Sequence, residues 1–250
     1  FAIWSFLAHY FWSRSVKQDA TGDVKLTMAM ERFAAPAVIL FAVSLNFSSF
    51  DLLMSIDPHW YSTIFGVYMF SGGTVGFLAL LSVVTALLQR TGRMRGVTDD
   101  HWHDLGKLVF AFTVFWAYIG FSQYMLTWYA NLPEETIWYA ARQSGGWTAV
   151  TLLLLFGHFL VPFFLLLPRF VKRSPRLFGP VAAWMLVMHY VDIYWLVMPK
   201  LSPGRVPVHP LDLACVLGLG GLWLASVAWR MRRVSLVPGQ DPRLDESLAF

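Results

Sequence analysis

Residues 146–168 read "GWTAVTLLLLFGHFLVPFFLLLP", a run without a single Asp, Glu, Lys or Arg. As a helix rising about 1.5 Å per residue, such a run crosses the ~30 Å hydrocarbon core of a bilayer. Comparable apolar runs lie at roughly 33–55, 62–88, 106–130, 178–198 and 210–230. The whole chain agrees with them. It is 57% hydrophobic and 14% charged, against about 25% charged in an ordinary soluble domain. The expected fold is all-α: a polytopic transmembrane helical bundle of six full spans within one integral membrane domain, residues 1–250. The opening "FAIWSFLAHYFW" (1–12) is apolar but too short to cross, and it has neither a basic leader nor a small-residue cleavage site. It reads as the tail of a further, truncated span.

The net charge of +4 is a matter of topology. Lys and Arg cluster in 13–32, 89–107, 169–177 and the C-terminal segment, and are sparse in 56–61, 131–145 and 199–209; the two sets hold sixteen and three. The positive-inside rule assigns the sixteen, and with them the C-terminus, to the cytoplasm. Nucleic acid is therefore not expected as a partner. The single cysteine, Cys215, excludes a cysteine-held iron–sulfur cluster, covalent haem or structural zinc in this chain.

"TDDHWHD" (98–104) gathers two histidines and three aspartates. As an exposed connector it reads as a helix N-cap rather than a metal centre. Gly72 with Gly76, and Gly218 with Gly221, read as small faces that let helices approach closely.

Polar groups within spans carry the functional signal, because a charged side chain near mid-membrane costs about 2.5–3.5 kcal/mol on insertion scales. Ser44, Ser48 and Asp51 share one helical face near the end of the first full span. Gln123 lies roughly two turns inside the next aromatic belt, in a series with Thr113, Gly120 and Thr127. His158 precedes Pro162 by four residues, and a proline there removes the donor to the carbonyl of residue 158, so a kink is expected. In "LVMHYVDIYWLVMP" (186–199), His189 and Asp192 stand one turn apart with Tyr190 and Tyr194 nearby. That spacing suits a directly interacting pair able to exchange a proton. Asp51, Gln123, His158, His189, Asp192 and Tyr194 are accordingly the candidates for a proton pathway or a quinone contact. No metal ligand set is assigned.

Three classes fit this pattern. A haem b cytochrome would use His158 and His189 as axial ligands on antiparallel helices. A transporter would show inverted repeats or paired broken helices, and none is visible. A quinol-reactive or proton-conducting subunit, or a scaffold within such a complex, suits the scattered Asp, His, Tyr and Gln best.

Three longer stretches sharpen that choice: "SIDPHWYSTIFGVYMFSGG" (55–73), "FSQYMLTWYANLPEETIWY" (121–139) and "HYVDIYWLVMP" (189–199). Together they resemble the second quinone-binding-type integral subunit of alternative complex III (ActF type) in the NrfD/PsrC family. The resemblance covers the C-terminal part of a family member. It implies an architecture of two four-helix bundles, with 1–55 ending the first, 62–198 forming the second and 210–230 a flanking helix. It also implies a respiratory quinol:cytochrome c (or other acceptor) oxidoreductase in the bacterial inner membrane. The partners implied are a sister NrfD/PsrC-like subunit, an iron–sulfur protein, a c-type cytochrome and a terminal oxidase, with lipid and menaquinol or a related quinol. Haem c and iron–sulfur clusters belong to those partners, and this chain is expected to hold no cofactor beyond a quinone.

Overall fold

The computed structural model describes residues 1–94 and 96–249. Arg95, one of the basic residues of the 89–107 connector, and Phe250 lie outside the described residues. In chain order the helices are α1 (Ala2–Thr21), α2 (Val24–Leu52), a 3-10 turn (Met54–Ile56), α3 (Phe65–Arg90), α4 (Asp99–Ala130), α5 (Pro133–Arg142), α6 (Trp147–Leu153), a π-helical turn (Leu154–Leu160), α7 (Val161–Leu166), α8 (Arg169–Arg173), α9 (Pro175–Leu201), α10 (Pro210–Met231) and α11 (Leu244–Leu248). The fold is all-α, and six of its helical segments are long and apolar enough to cross a membrane.

The six match the sequence-derived spans, with displaced ends. The largest displacement is at α2, which begins at Val24 rather than near 33; next is α4, which begins at Asp99 rather than near 106. Thr98 caps it: the Thr98 side chain meets the N3 backbone, and the His101 ring accepts from the Thr98 N–H at 3.1 Å. Asp99 and Asp100 follow in the first turn, where carboxylates face the positive end of the helix dipole. "TDDHWHD" is thus a cap followed by helix, and among the described residues no group of three metal-ligating side chains forms.

The chain divides into two compact units, residues 1–44 with 207–250 and residues 45–206. In the first, α1 and the start of α2 form a hairpin turning at Gly22, whose φ of 65° suits a residue without Cβ. The Gln18 amide bonds the Thr27 hydroxyl, Trp4 Nε1 donates to Ser44 Oγ at 2.9 Å, and Arg243 pairs with Glu31. Helix α10 presents apolar side chains all round and has no buried residue.

The second unit packs α3 against α4 and α9. Buried positions recur at steps of three and four: Val109, Thr113, Trp116, Ile119 and Gln123 on α4, and Ala182, Met185, Met188 and Asp192 on α9. That period makes a seam along one face of each helix. On α3 the seam is built of small residues, Ser71, Gly72, Val75, Gly76 and Ala79, so its neighbours approach closely.

Where a kink is expected before Pro162, the structure has a widened helical turn. The Val161 N–H donates to the Phe156 carbonyl five residues back, and the chain from Leu154 to Leu160 is π-helical. Proline lacks the N–H that an α-helical ladder needs, and the wider turn lets neighbouring donors and carbonyls pair around the gap. At the other end of this span, Lys172 of α8 is buried and donates to the Leu166 and Leu167 carbonyls at 2.5 and 3.0 Å. It thereby satisfies helix-end acceptors that have no intrahelical donor. Substituting Lys172→Met should lower stability by about 1–3 kcal/mol, the cost of orphaned buried acceptors. Arg176→Met, on an exposed side chain, should change it little. Thermal unfolding of the detergent-solubilised protein distinguishes the two.

Candidate functional site

Asp192 is the organising residue. It is 1% exposed and lies on the buried seam of α9. Its Oδ1 accepts from the Tyr68 hydroxyl of α3 at 2.5 Å, and its Oδ2 accepts from Trp116 Nε1 of α4 at 3.1 Å. Three helices therefore converge on one carboxyl group. An ionised carboxylate is acceptor-only, and hydrogen bonds to a charged group contribute about 1.5–3 kcal/mol each. The two bonds together are of the size needed to offset its insertion cost.

The direct His189–Asp192 pair expected from their spacing does not form: among the described residues no hydrogen bond joins them. Both side chains instead lie over the small face of α3. A Cβ on Gly72 would stand 3.4 Å from Asp192 Oδ2, 3.4 Å from Trp116 Cδ1 and 3.6 Å from His189 Cε1. One on Gly76 would come within 2.5 Å of His189 Cδ2. Gly72 and Gly76, read from sequence as helix-packing glycines, are what admits the imidazole and the carboxyl into the bundle.

His158, on the π-helical turn, is fully buried, with its ring centroid 4.0 Å from that of Trp116. Neither of its ring nitrogens, nor His189 Nδ1, finds a hydrogen-bond partner among the described residues. Trp116 thus touches Asp192 through its N–H and His158 through its ring. The His158 ring lies against Trp116 and the His189 ring against the backbone of Gly76.

Beside the carboxyl cluster is a cavity of about 540 Å³, within the usual ~300–1,000 Å³ of ligand sites. Tyr68 and Trp116 line it on the Asp192 side; Gln123, Tyr139, Trp138 and Trp195 are among its other walls. Phe121 and Leu155, which also line it, are largely exposed, so the cavity reaches the apolar outside of the unit. Gln123 is buried; its Nε2 donates to the Tyr139 hydroxyl oxygen at 3.1 Å, and its Oε1 accepts from Ser62 Oγ at 3.4 Å. Burial pushes the Tyr139 phenol pKa up, so it stays protonated. Its own hydrogen has no acceptor among the described residues and remains available to a molecule in the cavity.

The remaining candidates lie elsewhere. Asp51 is an exposed residue in the last turn of α2; its carbonyl accepts from Ser55 Oγ at 2.5 Å, and its carboxyl takes no part in the cluster. Tyr194 packs its ring 5.9 Å from Trp147, away from Asp192.

Sequence reasoning missed Tyr68, Tyr139 and Arg142. Tyr68 shares a helical face with Gly72, Val75 and Gly76, the signal that it points into the seam. Tyr139 and Arg142 belong to α5, which was read as a connector. Pro133 at its first position, Glu134 and Glu135 in its first turn, and an apolar face ending in Trp138 and Tyr139 mark it as a short amphipathic helix. Arg142 is buried; its Nη1 donates to the Trp138 carbonyl at 2.9 Å and its Nη2 to the Leu196 carbonyl at 2.8 Å. Burial pushes its pKa down to about 9, opposed by Tyr139 and then Asp57, so it remains a cation at neutral pH.

Comparison with protein-family models and with curated proteins finds no match.

The close contact of α3 with His189 has a direct test. Gly76→Ala should cost about 1–3 kcal/mol of stability through overpacking. Gly73→Ala, where a Cβ meets nothing within 4 Å, should be neutral or slightly stabilising. Paired thermal-unfolding measurements read the difference.

Proposed function

We propose that this chain is an integral membrane subunit of a quinol:acceptor oxidoreductase complex of the alternative complex III type, serving quinol oxidation and proton passage. The observation that supports the reading best is a buried carboxyl, Asp192, joined through Tyr68 to an aromatic-walled cavity that reaches the apolar surface. The sequence resemblance to the NrfD/PsrC family points the same way. On this reading the chain lies in a bacterial inner membrane with its C-terminus cytoplasmic. It assembles with a sister subunit, an iron–sulfur protein, a c-type cytochrome and a terminal oxidase. Those partners carry the iron–sulfur clusters and haem c, and electrons pass to cytochrome c or another acceptor.

The chemistry available here is proton handling. The two donors to Asp192 differ in kind: an indole N–H can only donate, whereas a phenol can donate or accept. When Asp192 takes up a proton, its new O–H can be accepted by the Tyr68 oxygen. The Tyr68 proton then turns toward the cavity that its ring lines. The reverse reorientation passes a proton from a cavity-bound hydroxyl through Tyr68 to Asp192. His189 and His158, on the other sides of the same cluster, supply further sites for the proton. A quinol headgroup suits the cavity because it is flat, apolar and carries oxygens that the free Tyr139 O–H can meet.

A scaffold role is the second reading, favoured by the exposure of Asp51 and the absence of a continuous hydrogen-bonded chain among the described residues. One comparison separates the two. In the assembled complex, Asp192→Asn and Tyr68→Phe should each lower quinol-dependent turnover and proton release by about 10²-fold or more, the usual range for losing an acid–base group. Trp116→Phe, which removes a donor that cannot relay, should act more weakly. Full turnover and proton release in intact complexes carrying the first two variants leave the chain as scaffold.

A further inference from the structure

A second, much smaller void lies beyond the cavity wall. Trp138 and Leu196 line both spaces. The small void measures about 10 Å³ and is also lined by Asp57, Arg142 and Lys200. Around it the side chains are tightly held. Trp60 stacks on Trp138 with centroids 4.3 Å apart and planes 12° from parallel. The Arg142 guanidinium carbon lies 3.2 Å from the Trp138 ring centroid. Two groups that close cannot share one face of an indole, so Trp138 is clasped between an aromatic ring and a cation.

Two polar groups at this void are incompletely used. Arg142 spends its two Nη groups on the carbonyls of Trp138 and Leu196, and its buried Nε has no acceptor among the described residues. Asp57 receives Lys200 Nζ on Oδ1 at 2.9 Å, which leaves Oδ2 without a protein donor among them. The void volume is that of one water molecule, for which roughly 10–15 Å³ is required. The occupant must accept from Nε and donate to a carboxylate. A halide can do only the first and would be repelled by Asp57, and a metal cation would be repelled by Arg142 and Lys200. Water does both.

We infer that this void is a binding site for a single water molecule, which bridges Arg142 Nε to the Asp57 carboxylate. The bridged Asp57–Lys200–Arg142 group closes one end of the bundle over the cavity. It ties the turn after Met54–Ile56 to α5 and α9, and holds Trp138 in place as the partition between charged void and apolar cavity, whatever the cavity holds.

The test uses the full-length protein in its assembly. A density map at about 2 Å, where ordered waters are resolved, should show one peak within about 3.2 Å of both Arg142 Nε and an Asp57 oxygen. A closed void, or a direct Arg142–Asp57 bond, overturns the site. For the closure, Leu196→Cys in a Cys215→Ala background should react slowly with a membrane-impermeant thiol reagent. Adding Asp57→Ala or Arg142→Gln should speed that reaction at least about tenfold, as expected when a charge-assisted bond that opposes local opening is lost. An unchanged labelling rate in both overturns the closure. Should either variant fail to assemble, the map of the unaltered protein still decides the site.

Discussion

One carboxyl group fixes the register of three helices. Asp192 on α9 cannot sit in an apolar bundle without donors, and its two donors come from different elements, Tyr68 on α3 and Trp116 on α4. A slide of α9 by one turn, about 5.4 Å, would break both bonds and leave a buried charge unpaired at several kcal/mol. Apolar seams alone do not discriminate that strongly, because leucine-like surfaces pack in many registers and lipid tails compete with them. The polar triad therefore gives the bundle specificity where its hydrophobic contacts mainly give adhesion. The small face of α3 is a consequence: a carboxyl and an imidazole both fit against a helix only where that helix carries Gly72 and Gly76.

The aromatic residues divide between two tasks. Trp116 and Tyr68 have their polar atoms turned to Asp192 and their rings turned to the cavity, so the same side chains satisfy the acid and build an apolar wall. Trp138 and Trp195 close another side of the cavity, meeting edge to face at 5.4 Å and 89°, and Trp60 stacks on Trp138. Arg142 is the cation that makes this second group rigid. It lies over Trp138, reaches across to α9 and keeps its charge although buried. A lysine there would supply the charge but not the flat, forked donor set that meets two carbonyls while stacking on an indole.

The six spans were legible because each is an apolar run of the length a bilayer demands, and that signal needs no tertiary information. The candidate acids and imidazoles were legible for the same reason: His158, His189 and Asp192 stand out against hydrocarbon-like neighbours. Their partners did not stand out. A tyrosine or tryptophan in a span is unremarkable by composition, so Tyr68 and Trp116 become recognisable as ligands of Asp192 only when α3, α4 and α9 are brought together. The His189–Asp192 spacing misled because one-turn proximity on a helix permits a pair but does not compel it. Donors from two other helices outcompeted the neighbour. Helix α5 was obscured by its brevity, since ten residues of mixed polarity read as a loop unless the first-position proline and the acidic first turn are weighed together.

His158 carries the strongest hint that the cluster is more than a device for packing. Filling its place in an otherwise apolar stretch of its span, "LLLLFGHFLVPFFLLL", would be simpler with an apolar side chain of similar volume. An imidazole there leaves buried nitrogens without protein partners, at about 1–3 kcal/mol for each unsatisfied group. It also occupies a π-helical turn, the wider backbone form that proteins place most often at sites of function. The ring contact with Trp116 contributes too little to account for both features, because an aromatic pair is worth only about 0.5–1.5 kcal/mol beyond its burial. A phenylalanine would keep that contact without the orphaned nitrogens. What phenylalanine lacks is the pair of ring nitrogens that His158 holds against Trp116, and the proposed proton passage is the use that reading gives them.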